Sequence, residues 1–260
     1  MKITIKYCRV LLLSIGLSGA WQLPLNAQDK QEKIHAFLEK VQQSYRNASY
    51  LGFHVNYRYA NAGQLSKQLD TMSGEIEIDK DRSRFVIEGT ETLITGKYGI
   101  HVSGEDKLIY LSKPGHTGVF DPITMLDSAL IRGAGMQATI EPGTASGKQE
   151  GFHTLTLRFP PGNAYTLIQM TVNDKTGWLE RISFDMHTAG VVGQEMINRQ
   201  GHPAPYEQEG RVEILFSQYR KGGFGDEMFD EKKFFTRAGD RFIPAEAYKD
   251  YHIFLASSHL

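Results

Sequence analysis

The sequence predicts an α+β protein that is mainly β: an incomplete antiparallel β-barrel of about 9–11 strands covered by amphipathic helices. Three observations lead to this fold. Apolar and polar residues alternate in one segment after another, the connections between these segments are too short for parallel crossovers, and two further segments have helical periodicity. The composition agrees with a folded protein, because 40% of the 260 residues are hydrophobic and 23% are charged.

The first 27 residues have the three-part pattern of a secretory signal peptide. Three basic residues precede an uncharged, mostly apolar run over residues 10–21, and small residues follow near Ala27. We expect cleavage during export, which would leave residues 28–260 in the periplasm as a single domain. A retained anchor is the alternative, although a run of about a dozen residues is short for a bilayer core.

Removing this segment also removes Cys8, the single cysteine of the chain, and leaves a formal net charge of about −4. A negatively charged chain offers nucleic acid no attractive field, and without cysteine neither disulfides nor thiolate chemistry is available. The histidines are scattered, and the spacings typical of a zinc site do not occur. We therefore expect no metal, no cofactor and no nucleic-acid partner.

Two segments are predicted to be helical. Residues 29–48 place apolar side chains at spacings of three and four, which gives one apolar face. A shorter helix is predicted near 121–132, where Asp121 and Pro122 form a typical helix start. This second helix is predicted to act as a lid over the open barrel through Met125, Leu126 and Leu130.

Alternation with a period of two defines the strands. Phe53, Val55 and Tyr57 lie on one side of the first strand, with polar residues between them, and the same pattern returns along the chain to Phe216. Residues 187–209 have no such period and are predicted to form an exposed loop. Short β-like pieces follow near the C-terminus, after a polar segment over 220–233.

Strands with one apolar face must curl over that face or be covered, and about eight strands already enclose a lumen that side chains can fill. A wider curl leaves a hollow. An empty hollow is destabilising, so we expect an apolar guest. The residues predicted to line this lipid-binding cavity are Phe53, Val55, Tyr57, Ile76, Ile78, Phe85, Ile87, Ile100, Leu155, Leu157, Ile168, Met170, Ile182, Phe184, Ile214 and Phe216.

Two blocks of sequence resemble the LolA-type periplasmic lipoprotein carrier family. The first, residues 74–85, has the glycine, alternating strand, basic turn and aromatic-bearing strand of that family, and it continues through 92–102 and 107–111 as paired strands around a Gly-Lys turn. The second, residues 171–185, is similar to the late hairpin of the family and the strand that follows it. Residues 121–126 stand where the family keeps its lid helix.

The resemblance implies a carrier that shields acyl chains on their way to the outer membrane. Its guest would be an acylated lipoprotein or a lipid, and its partners an inner-membrane transporter and an outer-membrane receptor. The protein would be a monomer without catalytic activity. The family has a functional arginine followed by proline in its basic turn, where this chain has Lys80, Asp81 and Arg82. Lys80 and Arg82 are therefore the gate candidates.

Two other functions stay open from the sequence. An envelope sensor or interaction protein could use the same fold to bind a lipid or peptide signal. A hydrolase with its site in the hollow would need inward-facing acid, base or nucleophile groups, whereas the predicted inward positions are nearly all apolar.

Overall fold

The computed structural model describes residues 25–48, 50–114, 136–143, 151–189, 206–223, 225–257 and 260. Within these residues the structure has one α-helix, α1 (Leu25–Arg46), fourteen strands and four short 3-10 helices. The strands are β1 (Tyr50–Asn61), β2 (Gln68–Asp79), β3 (Arg82–Ile87), β4 (Thr90–Ile94), β5 (Gly99–Ser103), β6 (Leu108–Ser112), β7 (Gln137–Pro142), β8 (Phe152–Arg158), β9 (Tyr165–Asn173), β10 (Leu179–His187), β11 (Glu209–Lys221), β12 (Phe235–Ala238), β13 (Arg241–Pro244) and β14 (His252–Leu255).

Twelve of these strands form one sheet, in the order β14-β6-β5-β4-β3-β2-β1-β11-β10-β9-β8-β7, and β12 pairs with β13 in a separate hairpin. All neighbours in the large sheet are antiparallel except β14, which runs parallel to β6. Because β14 and β7 stand at its two edges, the sheet is curved without closing into a barrel. The predicted mainly β, incomplete barrel is confirmed, with one strand more in the sheet than the upper expectation.

Helix α1 packs on one face of this sheet, which we call the α1 face. The helix presents Leu38, Val41 and Tyr45 to the sheet, and all three are buried. Their spacing of three and four residues is the one from which the sequence predicts this helix. The helix begins at Leu25, four residues earlier than predicted, and ends two residues earlier, at Arg46.

The strand register shows which residues share each face, because directly opposed residues in antiparallel strands point to the same side. One row of opposed residues on the α1 face runs across β1 to β6 through Phe53, Ile76, Phe85, Thr92, His101 and Tyr110. The adjacent row on the opposite face runs through Gly52, Glu77, Arg84, Leu93, Ile100 and Leu111. The apolar side of the sheet therefore changes between β3 and β4.

Each half of the sheet has its own hydrophobic core. Strands β1, β2 and β7 to β11 bury apolar residues under α1. Strands β4 to β6 bury theirs on the opposite face, against apolar residues of 228–253 and Leu260. In that second core Phe229, Phe234 and Phe235 are all less than 5% exposed.

Several features of the structure were not predicted, and several predictions concern residues outside the described part of the chain. Strands β7 and β12 and the first half of β2 are not predicted from the sequence, because their segments are short or polar. The predicted lid helix, with Met125, Leu126 and Leu130, lies outside the described residues, as do residues 1–24 of the signal segment and 190–205 of the predicted loop. In the described part of the chain no helix is long and apolar enough to cross a membrane.

Candidate functional site

The apolar core under α1 contains most of the residues predicted to line a cavity. Twelve of the sixteen are buried in this core: Phe53, Val55, Ile76, Ile78, Leu155, Leu157, Ile168, Met170, Ile182, Phe184, Ile214 and Phe216. Two more, Tyr57 and Phe85, are half-buried against the core, and Ile87 is half-buried beside Gly74 on the same face. The sequence thus identifies the apolar face, while the cavity role of these residues stays a prediction.

Ile100 is the exception, and its assignment to the cavity is wrong. Its side chain is fully buried on the opposite face, where it opposes Leu93 and Leu111 and belongs to the C-terminal core. The alternation in β5 is as predicted. It cannot show, however, which face of the sheet the apolar side chains reach, because a shift of one residue in a turn exchanges the two faces.

A ring of hydrogen bonds fastens the C-terminal end of α1 to the sheet. The Tyr219 hydroxyl donates to the Leu179 carbonyl over 2.8 Å, the Tyr45 and Tyr219 hydroxyl oxygens are 2.7 Å apart, and the Leu179 amide donates to Tyr45 over 3.3 Å. Since Tyr219 uses its proton on the carbonyl, Tyr45 must donate to Tyr219. Burial raises the pKa of both tyrosines well above the ordinary value.

The same end of the helix also contacts the turn between β9 and β10. The Lys40 ammonium donates to the Asp174 carbonyl over 2.9 Å, and Ser44 lies directly over Gly177. Gly177 has a φ of +71°, and a Cβ at this position would overlap the Ser44 hydroxyl. Glycine is therefore required here both for the turn and for the close approach of α1.

An open apolar pocket of about 110 Å³ lies at the other end of β1. Tyr57, Met72 and Val212 belong to its lining, and the register places these three on the α1 face. Met72 is 44% exposed, which is unusual for a large apolar side chain. The complete lining is Tyr57, Arg58, Tyr59, Asp70, Thr71, Met72, Tyr206 and Val212.

One wall of the pocket is fixed by Tyr59. Its hydroxyl is 2.8 Å from the Thr188 hydroxyl, and its ring packs edge-on against Tyr206 with centroids 5.6 Å apart. The ring lies over Gly210, where any Cβ would overlap it. Burial raises the pKa of both Tyr57 and Tyr59, so these two phenols stay neutral.

Sequence reasoning missed Met72 and Tyr206 as well as the pocket role of Tyr59 and Val212. Met72 continues the period of two that the sequence shows at Ile76 and Ile78, so extending that strand backwards would have found it. Tyr206 comes from an aperiodic segment and is brought to the pocket by the tertiary fold alone.

The gate candidates lie away from this pocket. Arg82 is on the opposite face, where its guanidinium pairs with Asp79 and with Asp226, the latter over 3.0 Å, and packs 4.7 Å from the centre of the Phe229 ring. Arg82 thus fastens the C-terminal segment, and its role as a gate stays a prediction. Lys80 is an exposed turn residue whose ammonium lies 5.9 Å from the centre of the Tyr50 ring.

Other charges on the opposite face are also paired. The Glu77 side chain is 1% exposed, and its oxygens accept from Arg84 over 2.8 Å and from Arg220 over 2.9 Å. Arg84 also donates to Glu91 over 2.6 Å, and Glu91 accepts from Lys233 over 3.0 Å. These contacts are structural, since they join β2, β3, β4 and β11 to the C-terminal segment. Among the described residues no group of His, Cys, Asp and Glu could hold a metal ion.

No family model matches the chain, and no curated protein matches it significantly. Solved structures similar to it include an uncharacterized conserved protein from Thermus thermophilus, with 10% identity and a TM-score of 0.46 over 86% of this chain and 99% of that one. A LolA superfamily protein from Nitrosomonas europaea has 12% identity and a TM-score of 0.35 over 77% and 98%. The lipoprotein LppX from Mycobacterium tuberculosis has 15% identity and a TM-score of 0.37 over 74% and 98%.

Identities of this size and TM-scores below 0.5 support no inference about ligand or activity. A LolA superfamily protein is nevertheless among the solved structures to which the chain is similar, as its sequence motifs predict.

Proposed function

We propose that this protein is a periplasmic carrier that binds acyl chains of lipoproteins or other lipids on its α1 face. The observation that carries the proposal is that the apolar α1 face does not end at the helix. It continues along β1, β2 and β11 into an open pocket with a half-exposed methionine, Met72. An exposed apolar surface continuous with a core is typical of a site for an apolar ligand.

The energetics of acyl chains explain why a carrier would need such a face. An acyl chain of about fourteen carbons gains on the order of 11 kcal/mol when it leaves water, so it does not cross an aqueous compartment unshielded. The pocket of about 110 Å³ is smaller than the roughly 150 Å³ cavity that holds benzene. It therefore takes one end of a chain, and the remainder would lie along half-buried residues of the α1 face such as Phe85 and Ile87.

The lining of the pocket also suits release of the bound acyl chain. Apolar contacts are non-directional, and the flexible thioether of Met72 adapts to guests of different shape. The phenols of Tyr57 and Tyr59 stay neutral, so the charged residues of the pocket lining are Arg58 and Asp70 alone. The proposed activity makes and breaks no covalent bond. An inner-membrane transporter and an outer-membrane receptor would be the donor and the acceptor of the guest.

A charge placed in the pocket tests the proposal. Met72→Asp puts a carboxylate into the lining at a position that is 44% exposed, so the fold should tolerate it. We expect it to weaken binding of a fluorescent C16 fatty acid at least tenfold, because the bound chain would have to desolvate the charge. Leu65→Asp is the matched control, since Leu65 is 45% exposed and lies outside the pocket lining.

Equal affinities of wild type, the Met72 variant and the Leu65 variant for the fatty acid would show that the pocket does not bind the acyl chain. Transfer is measured separately, by following a labelled lipoprotein from donor to acceptor vesicles. If the protein binds no acyl probe and accelerates no transfer, yet crosslinks to an envelope protein, the sensor alternative replaces the carrier.

A further inference from the structure

The α1 face has a second region, which differs in chemistry from the apolar core. On β4, β5, β6 and β14 the side chains of this face are mostly polar or aromatic, since the buried apolar residues of β4 to β6 lie on the opposite face. Thr92, His101, Tyr110 and Phe254 stand in one row across these four strands. We call this row the aromatic strip.

Direct contacts hold the strip together. The Thr92 hydroxyl is 2.9 Å from His101 Nδ1, the His101 and Tyr110 rings are 6.0 Å apart, and the Tyr110 and Phe254 rings are 5.6 Å apart. Phe254 is 56% exposed and His101 is also exposed. Aromatic rings in contact on an open sheet form a surface with both apolar and hydrogen-bonding character.

The strip adjoins the apolar core. Phe85 opposes Ile76 of that core on one side and Thr92 of the strip on the other. Neighbouring strands are about 4.8 Å apart, so the strip begins one strand from Phe85 and extends to Phe254, about 19 Å away along the sheet. One amphiphile could therefore contact both regions, with its tail on half-buried apolar residues such as Phe85 and its head on the strip.

Charge decides which kind of head fits. The α1-face positions of β4, β5, β6 and β14 hold threonine, serine, histidine, tyrosine, glycine, leucine, isoleucine and phenylalanine, and none of them is Lys, Arg, Asp or Glu. A phosphate or carboxylate head would find no lysine or arginine at these strand positions. Sugar rings suit the surface better, because their hydroxyls can bond to threonine, serine and tyrosine while their apolar faces pack on the aromatic rings.

We propose that the aromatic strip binds the neutral, hydroxyl-rich headgroup of an amphiphile, such as a glycosyl group. This inference rests on the proposed function, since the tail of the same molecule would occupy the apolar part of the α1 face. It names the substrate class of the carrier as neutral glycolipids or glycosylated acyl conjugates.

The test compares two probes with the same C12 tail, dodecyl maltoside and dodecyl phosphate, each below its micellar concentration. Binding to the wild-type protein and to Tyr110→Ala and Phe254→Ala is measured by titration calorimetry. We expect each variant to bind dodecyl maltoside about 3- to 10-fold more weakly, the range of an aromatic contact, and dodecyl phosphate as the wild type does. Leu255→Ala is the matched control, because Leu255 is 48% exposed, neighbours Phe254 and points to the opposite face.

The outcomes separate the two proposals. If dodecyl maltoside binds and the strip variants leave its affinity unchanged, or weaken both probes equally, the headgroup site is refuted while the carrier stands. If wild type binds neither probe, the carrier proposal itself fails. Circular dichroism and thermal melting of each variant check that the substitutions at these exposed or half-exposed positions leave the fold intact.

Discussion

The hydrogen-bonded ring that fastens α1 gives a quantitative prediction. Replacing Tyr219 by phenylalanine keeps the aromatic ring but removes the hydroxyl that accepts from Tyr45 and donates to the Leu179 carbonyl. Two polar groups then lose their partner at a place where Tyr45 is 2% exposed. Each unpaired buried group costs about 1–3 kcal/mol, so we expect Tyr219→Phe to lower the free energy of unfolding by about 2–4 kcal/mol.

The single and double variants should not be additive. Tyr45→Phe leaves the Leu179 amide without its acceptor but lets Tyr219 keep the carbonyl, so its cost is about 1–2 kcal/mol. In the double variant both hydroxyls are gone, and only the two backbone groups of Leu179 lose partners. The double variant should therefore be about as stable as Tyr219→Phe alone, which gives a coupling of about 1–2 kcal/mol.

Urea unfolding followed by tryptophan fluorescence measures these changes. Trp178 stacks on Tyr219 with ring centroids 4.6 Å apart, so its emission reports on this end of α1. Tyr110→Phe is the control for a half-buried tyrosine of the opposite half of the sheet and should cost less than about 0.5 kcal/mol. A cost below about 0.5 kcal/mol for Tyr219→Phe, or strict additivity of the two substitutions, would refute the ring.

Three further predictions follow from other parts of the structure. The pKa of both tyrosines of the ring is raised in the folded protein. Their contribution to stability is therefore complete below the ordinary tyrosine pKa of about 10 and is lost as pH rises above it. Replacing both tyrosines by phenylalanine should flatten this decline of the free energy of unfolding in urea titrations from about pH 9 to 11. Arg82→Ala should destabilise the protein by about 3–5 kcal/mol, because it leaves the fully buried Asp79 unpaired. Asp226→Ala should cost less than about 1 kcal/mol, since that side chain is 93% exposed. Equal costs in thermal melting would contradict the structural role given to the Arg82–Asp79 pair. Gly210→Ala should displace the Tyr59 ring and weaken binding of the C16 fatty acid. Added to Tyr59→Ala, it should weaken binding no further, since the overlap is then absent.

Local sequence patterns were sufficient to predict α1 and most of the strands. The spacing of Leu38, Val41 and Tyr45 predicts α1, and alternation from Phe53 onwards predicts most strands, because both signals depend on a few neighbouring residues. The assignment of apolar residues to the α1 face is correct for β1 to β3 and β8 to β11 for the same reason. Those strands have a simple alternation and a helix to cover it.

The sequence did not show which distant segments pair with each other or which face of the sheet each side chain reaches. Ile100 alternates like Ile76, yet the two lie on different faces, because the register from β3 to β5 sets the direction of each side chain. The segment 220–233 has a polar sequence, but Phe229 within it is buried in the second core. Long-range contacts bring that segment to the sheet, among them the pairing of Arg82 with Asp226, 144 residues away, and of Glu91 with Lys233.

The change of apolar face between β3 and β4 connects the fold to the proposed binding. A sheet that buried one face throughout would need its whole α1 face for stability, and a ligand could then enter only by displacing core side chains. In this protein Leu93, Ile100 and Leu111 stabilise β4 to β6 from the opposite side, against the C-terminal phenylalanines. The α1 face of these strands can therefore carry exposed residues such as His101 and Phe254 without weakening the core, and it is free to contact a guest.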